Sequence, residues 1–132
     1  MKINKKVKLL KNLKIKIKKE IKVGKIIKTF KFKSKVIVWR SEIEKEDDSG
    51  VWRFARVPEK ISAEIKEIQK GKLRRGWGAI YAKAKIRKSE WVTSIFPDRY
   101  SPIYILPLKK QIRYEENLYD GIEINVTIGI WF

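Results

Sequence analysis

Hydrophobic and polar residues follow two rhythms along this chain, and the switches between them mark the elements. Over residues 1–28, Ile3, Val7, Leu10, Leu13, Ile17 and Ile21 recur at three- and four-residue steps, the spacing of one helix face. Leu13, Ile15 and Ile17 also alternate with Lys in the period of a strand, as do Ile21 and Val23, until Gly24 interrupts both patterns. The segment reads either as a basic helix followed by a linker or as a solvated, disordered extension kept open by charge repulsion. From Thr29 the pattern turns β-rich: Phe30, Phe32, Val36, Ile37, Val38 and Trp39 belong to one long run. An acidic stretch from Glu42 to Asp48, closed by Ser49-Gly50, separates that run from a second strand, Val51 to Val57, which makes the pair a hairpin. Pro58 ends the second strand because it has no N–H to give to a ladder.

Ile61, Ile65 and Ile68 stand four and three apart within residues 59–70, which predicts one short amphipathic helix with Gly71 at its stop. A third strand runs from Ala79 to Arg87. Its Ile80, Ala82, Ala84 and Ile86 alternate with Tyr81, Lys83, Lys85 and Arg87, so one face is apolar and the other mostly basic. A turn at Lys88-Ser89-Glu90 leads into a fourth strand, Trp91 to Phe96, and a loop at 97–102 into a fifth, Ile103 to Leu106. Pro107 opens a single helical turn at 108–113. Asp120-Gly121 then turns the chain into a last strand with unbroken alternation of Ile122, Ile124, Val126, Ile128 and Ile130. About six short strands with one or two short helices predict an all-β fold, a small β-barrel or sandwich of residues 29–132 behind a basic extension of residues 1–28.

Composition narrows the chemistry. The 132 residues amount to one domain, and 43% hydrophobic content is enough for a core. Cys and His are both absent, which excludes disulfides, Cys/His zinc sites, a Cys nucleophile and any His-driven triad. No catalytic motif stands out among the remaining carboxylates, Lys, Arg, Tyr, Ser and Thr, so a non-enzymatic module without cofactor or metal is expected. The acidic stretch does not have the ligand spacing of an EF-hand loop and reads as a solvated hairpin tip. Lys interrupts every short apolar run before residue 28, and no run is long enough to cross a bilayer, so a cytoplasmic location is expected.

The charge balance bears on possible partners. Lys and Arg number 33 against 15 Asp and Glu, a net +18; residues 1–28 alone hold 12 Lys and one acid, Glu20. Such a segment is drawn to nucleic acid or to an anionic membrane surface. Codon bias is the leading explanation of the excess, since 25 of the 33 are Lys and Ile occurs 21 times, the signature of AT-rich codons. Lys is also a weaker recognition signal than Arg.

Several segments occur in an order that is known from one small family. These are Val51-Trp52-Arg53-Phe54-Ala55-Arg56-Val57-Pro58 followed by Ile61-Ser62-Ala63-Glu64-Ile65, Gly76-Trp77-Gly78, Thr93-Ser94-Ile95-Phe96-Pro97, Tyr104 to Arg113, and Asp120-Gly121 before the terminal strand. Over about residues 30–130 the chain resembles a bacterial and archaeal domain-of-unknown-function family whose members form a double-split β-barrel. That domain is sometimes attached to a second one of the bacteriocin-protection, outer-membrane-protein-associated type, which has no counterpart here. The resemblance implies the double-split barrel and carries no activity with it.

The candidate ligand- or anion-binding residues are Arg53, Arg56, Arg74, Arg75, Trp77, Thr93, Ser94, Arg99 and Arg113. Trp52 and Phe54 share a strand face with Arg56, and a basic face interleaved with aromatics suits single-stranded nucleic acid. Aromatics in so small a domain are more often core, which predicts Trp52 and Phe54 inside the barrel with Arg56 at its mouth. Arg74, Arg75 and Trp77 flank glycines and form a candidate anion pocket, or else a turn beside a packed Trp. Ser94 has no His or Ser-x-x-Lys partner to activate it. The expected function is a binding module whose basic surface meets an anionic partner, most simply nucleic acid. The alternatives are a small-molecule-binding or hydrolase-like domain, and a protein interaction or assembly module whose extension docks on an acidic partner or a membrane.

Overall fold

The computed structural model describes residues 23–40, 51–72 and 78–132. The expected helix of the extension, the acidic hairpin tip, and Arg74, Arg75 and Trp77 therefore lie outside the described residues.

Among the described residues there are seven strands, β1 (Lys28–Lys35), β2 (Ile37–Arg40), β3 (Val51–Arg56), β4 (Ile80–Ile86), β5 (Ser89–Pro97), β6 (Tyr104–Pro107) and β7 (Glu123–Trp131). Two helices accompany them, α1 (Glu59–Gln69) between β3 and β4 and α2 (Lys110–Glu115) between β6 and β7. The strands form one antiparallel sheet in the order β1-β7-β4-β5-β6-β3-β2. The sheet curls until its two ends approach, where the Arg56 amide of β3 donates to Ser34 Oγ of β1 at 3.1 Å. The result is the all-β small barrel that the alternation of residues predicts, in the form of a curled half-barrel.

The run expected as one strand from Phe30 to Trp39 is two strands with a bend at Val36. Val36 is almost fully buried, and its N–H donates to the Ile122 carbonyl at 2.9 Å while its own carbonyl accepts from Gly121 N–H at 2.7 Å. The bend sends β1 to one end of the sheet and β2 to the other. The β4–β5 turn is tighter than expected: Ile86 pairs with Ser89, so Arg87 and Lys88 alone make the loop, and Arg87 takes a positive φ of 54°. Ser89 and Glu90 belong to the strand instead.

Period-two alternation selects the interior. Phe30 and Phe32 of β1, Ile80, Ala82, Ala84 and Ile86 of β4, and Ile124, Val126, Ile128 and Ile130 of β7 fill the core. Their alternates face outward and place Lys31, Lys33, Lys83 and Lys85 on the outer face of the β1-β7-β4 sheet region. Helix α1 packs Ile65 inward and joins the sheet through Ser62, whose hydroxyl donates to the Val57 carbonyl and accepts from Tyr104 N–H, both at 3.0 Å. Residues 23–27 run beside β7, with Ile27 N–H donating to Ile130 O at 2.8 Å and Gly24 lying against the buried Trp131 ring. No helix among the described residues is long and apolar enough to cross a membrane.

Candidate functional site

Strand β3 has a different substituent pattern on each face, and each face borders a depression. Trp52, Phe54 and Arg56 share the outer face. The expectation that Trp52 and Phe54 fill the barrel, with Arg56 at its mouth, is overturned: Trp52 is 60% exposed, Phe54 is half-buried and Arg56 is exposed on the outside. The small Ala55, fully buried, is what β3 gives to the core. On that inner side Ala55 pairs with Leu106 of the neighbouring β6, and both are fully buried.

The hairpin register sets Trp39 of β2 directly opposite Trp52, and Trp39 is 52% exposed. Together with Phe54, Arg56, Arg99 and Tyr100 these two indoles line an open groove of about 490 Å³. Tyr100 is 88% exposed and projects from the loop after β5. That loop is organised by Asp98, whose N–H donates to Ile103 O at 2.8 Å while its carboxylate accepts from Ser101 Oγ at 2.5 Å and Tyr100 N–H at 3.3 Å. The Ser101 hydrogen bond, helped by backbone N–H donors and by the nearby Arg56, holds the Asp98 carboxyl below its ordinary 3.8, against an opposing effect of burial. Among the described residues Asp98 is the one acid that lines the groove, and it is bound within its own loop.

The other depression, about 270 Å³, lies between β3, β5 and the turn from β6 into α2. Arg53, Lys109, Lys110 and Arg113 contribute four cations to its lining, beside Thr93, Trp52 and Trp91. Arg53 Nε donates to Asp120 Oδ1 at 2.8 Å, and its side chain is only 15% exposed. Arg113 Nε donates to Leu108 O at 3.0 Å, and Leu108 N–H donates to Arg53 O at 3.0 Å, so the turn and β3 form one rigid scaffold.

The fold therefore divides the described candidates into two groups. Arg56 and Arg99 meet in the outer groove, and Arg53, Thr93 and Arg113 meet in the cationic cleft. Ser94 joins neither, because the β pleat turns it to the face opposite Thr93. Trp39, Tyr100, Lys109 and Lys110 were not among the sequence candidates. A signal for Trp39 exists, since counting back from the hairpin tip pairs it with Trp52. Nothing comparable marks Tyr100 or the two lysines. Among the described residues no three carboxylates gather closely enough to hold a metal ion.

A comparison with curated proteins finds no match to the chain. Residues 32–128, most of its length and all seven strands in whole or part, match the family model described as Domain of unknown function (DUF1905), and the chain belongs to that family.

Proposed function

We propose that this domain is a binding module for an anionic partner, most simply single-stranded nucleic acid, which it takes on the outer groove. The observation that carries this reading is the exposed Trp39–Trp52 pair, two large apolar rings left facing water on neighbouring strands with Arg56 and Arg99 beside them. Exposing two indoles side by side sacrifices burial that a structural role would have used. Base stacking on aromatic faces, with cations tracking the backbone, is what such an arrangement serves. The outer face of the β1-β7-β4 region carries further lysines, Lys31, Lys33, Lys83 and Lys85.

The test is oligonucleotide binding by the full chain, titrated over salt. Replacing Trp39 and Trp52 together by Ala is expected to weaken binding about ten-fold or more, with little change in the unfolding midpoint. Arg56→Gln is expected to lower the salt slope by about one. A full chain whose lysines in residues 1–22 are all Gln is expected to keep its Trp-dependent binding. If the double Trp variant binds like the parent and affinity vanishes with the tail lysines alone, the groove is not the site.

A further inference from the structure

The cationic cleft lies on the far side of β3 from the groove and calls for a ligand of its own. Among the described residues its lining holds four cations, Arg53, Lys109, Lys110 and Arg113, and no acid; Asp120 reaches Arg53 from outside the lining. Three of the four come from a five-residue stretch, and the fourth is brought beside them by the β5-β6-β3 strand order. Both arginines are oriented through Nε, one by a carboxylate and one by a backbone carbonyl. Fixed guanidinium groups are suited to planar or tetrahedral oxyanions. Next to them stand the Thr93 hydroxyl and an apolar wall from Trp52, Trp91 and Leu108.

We propose that this cleft binds the phosphate monoester of a nucleoside, the cations taking the phosphate and the apolar wall the base. Arg53 is already paired with Asp120; beside the other cations a carboxylate brings one negative charge, whereas a monoester carries close to two near neutral pH and offers three acceptor oxygens. The depression, of about 270 Å³ and open to solvent, accommodates a phosphate with one ring system. This site is distinct from the outer groove, and the two share Trp52. The monoester is supplied either by a free mononucleotide or by the phosphorylated end of a strand.

The test is calorimetric titration of the full chain with adenosine 5′-monophosphate and, separately, with adenosine. The monophosphate is expected to bind about ten-fold tighter or more, and Lys109→Ala with Lys110→Ala to remove that advantage. Both lysines are exposed, so this variant is expected to fold normally, unlike one at Arg113. Trp39→Ala, which touches only the groove, is expected to leave monophosphate binding intact. Equal binding of monophosphate and nucleoside, an unchanged advantage in the double lysine variant, or a loss caused by Trp39→Ala would each overturn the proposal. A 5′-phosphorylated oligonucleotide that gains affinity over its 5′-hydroxyl form, with the gain lost in the lysine variant, identifies strand ends as the source. Equal binding of the two oligonucleotides, beside tight monophosphate binding, identifies the free mononucleotide.

Discussion

Ser62 is the one polar side chain that is fully buried among the described residues, and its hydroxyl is both donor and acceptor within 3.0 Å. Ser62→Ala removes the acceptor of the Tyr104 N–H and leaves that buried donor without it. The expected loss is about 1–3 kcal/mol of stability, to be read from the denaturation midpoint, and a midpoint equal to the parent's would contradict it. Asp98 poses a question of pH. Its carboxyl is depressed in the folded state, so it adds stability above the ordinary carboxyl pKa and that contribution is lost as pH falls through the folded value. Ser101→Ala removes the largest cause of the depression. Carboxyl NMR is expected to show the Asp98 titration moving up toward 3.8 in this variant, with the loop loosening at a higher pH than in the parent.

At the scale of elements, residues 23–27 act as a strap beside β7, and two glycines test how closely they fit. A Cβ on Gly24 would meet Trp131 Cδ1 at 2.4 Å, against a buried ring stacked on Tyr81 with centroids 5.4 Å apart. A Cβ on Gly129 would meet the flexible end of Ile26 at 2.9 Å. Gly24→Ala is therefore expected to cost about 1–3 kcal/mol and to shift the tryptophan near-UV signal, while Gly129→Ala costs much less. Equal effects would mean that the strap yields as easily as the Ile26 side chain. Much of this element structure is legible in the sequence. The Ile61/Ile65/Ile68 spacing marks α1, and the alternation in β4 and β7 marks their inner faces correctly. Two things are not legible, for physical reasons. The bend at Val36 carries no Gly or Pro; it exists because Gly121 and Ile122, far along the chain, take the Val36 hydrogen bonds. Alternation in β3 separates Trp52 from Arg53 but does not say which face is inside, and the size of the indole argues for the wrong one. What decides is the partner that β3 meets on its inner side, where buried Ala55 lies opposite buried Leu106. The candidate sites follow suit, since Arg53 and Arg113 meet only through the order in which strands are laid side by side.

Over the whole molecule, a net charge of +18 on 132 residues repels itself at low ionic strength. The midpoint of thermal unfolding is expected to rise as salt is raised from about 20 to about 150 mM, where the screening length shrinks to about 8 Å. Strand binding of the kind proposed weakens over the same range. The two quantities therefore move in opposite directions, and a loss of affinity with salt cannot be ascribed to loss of folded protein. A flat or falling midpoint would place the stabilising ion pairs ahead of the repulsion.

The bend at Val36 also sets an order of events in time. Its two flanking strands wait very differently for their partners. β2 closes on β3 with ten residues between Arg40 and Val51, whereas β1 pairs with β7, with Lys28 opposite Ile130 at the far end of the domain. A chain leaving the ribosome can therefore complete the β2–β3 and β4–β5 hairpins while Phe30 and Phe32 still have no sheet to enter. Closing so distant a pair is slow, and until it closes β1 presents bare apolar residues and open backbone to any neighbouring strand. The lysines that alternate with those phenylalanines, Lys31, Lys33 and Lys35, then act as gatekeepers that keep the waiting strand from aggregating.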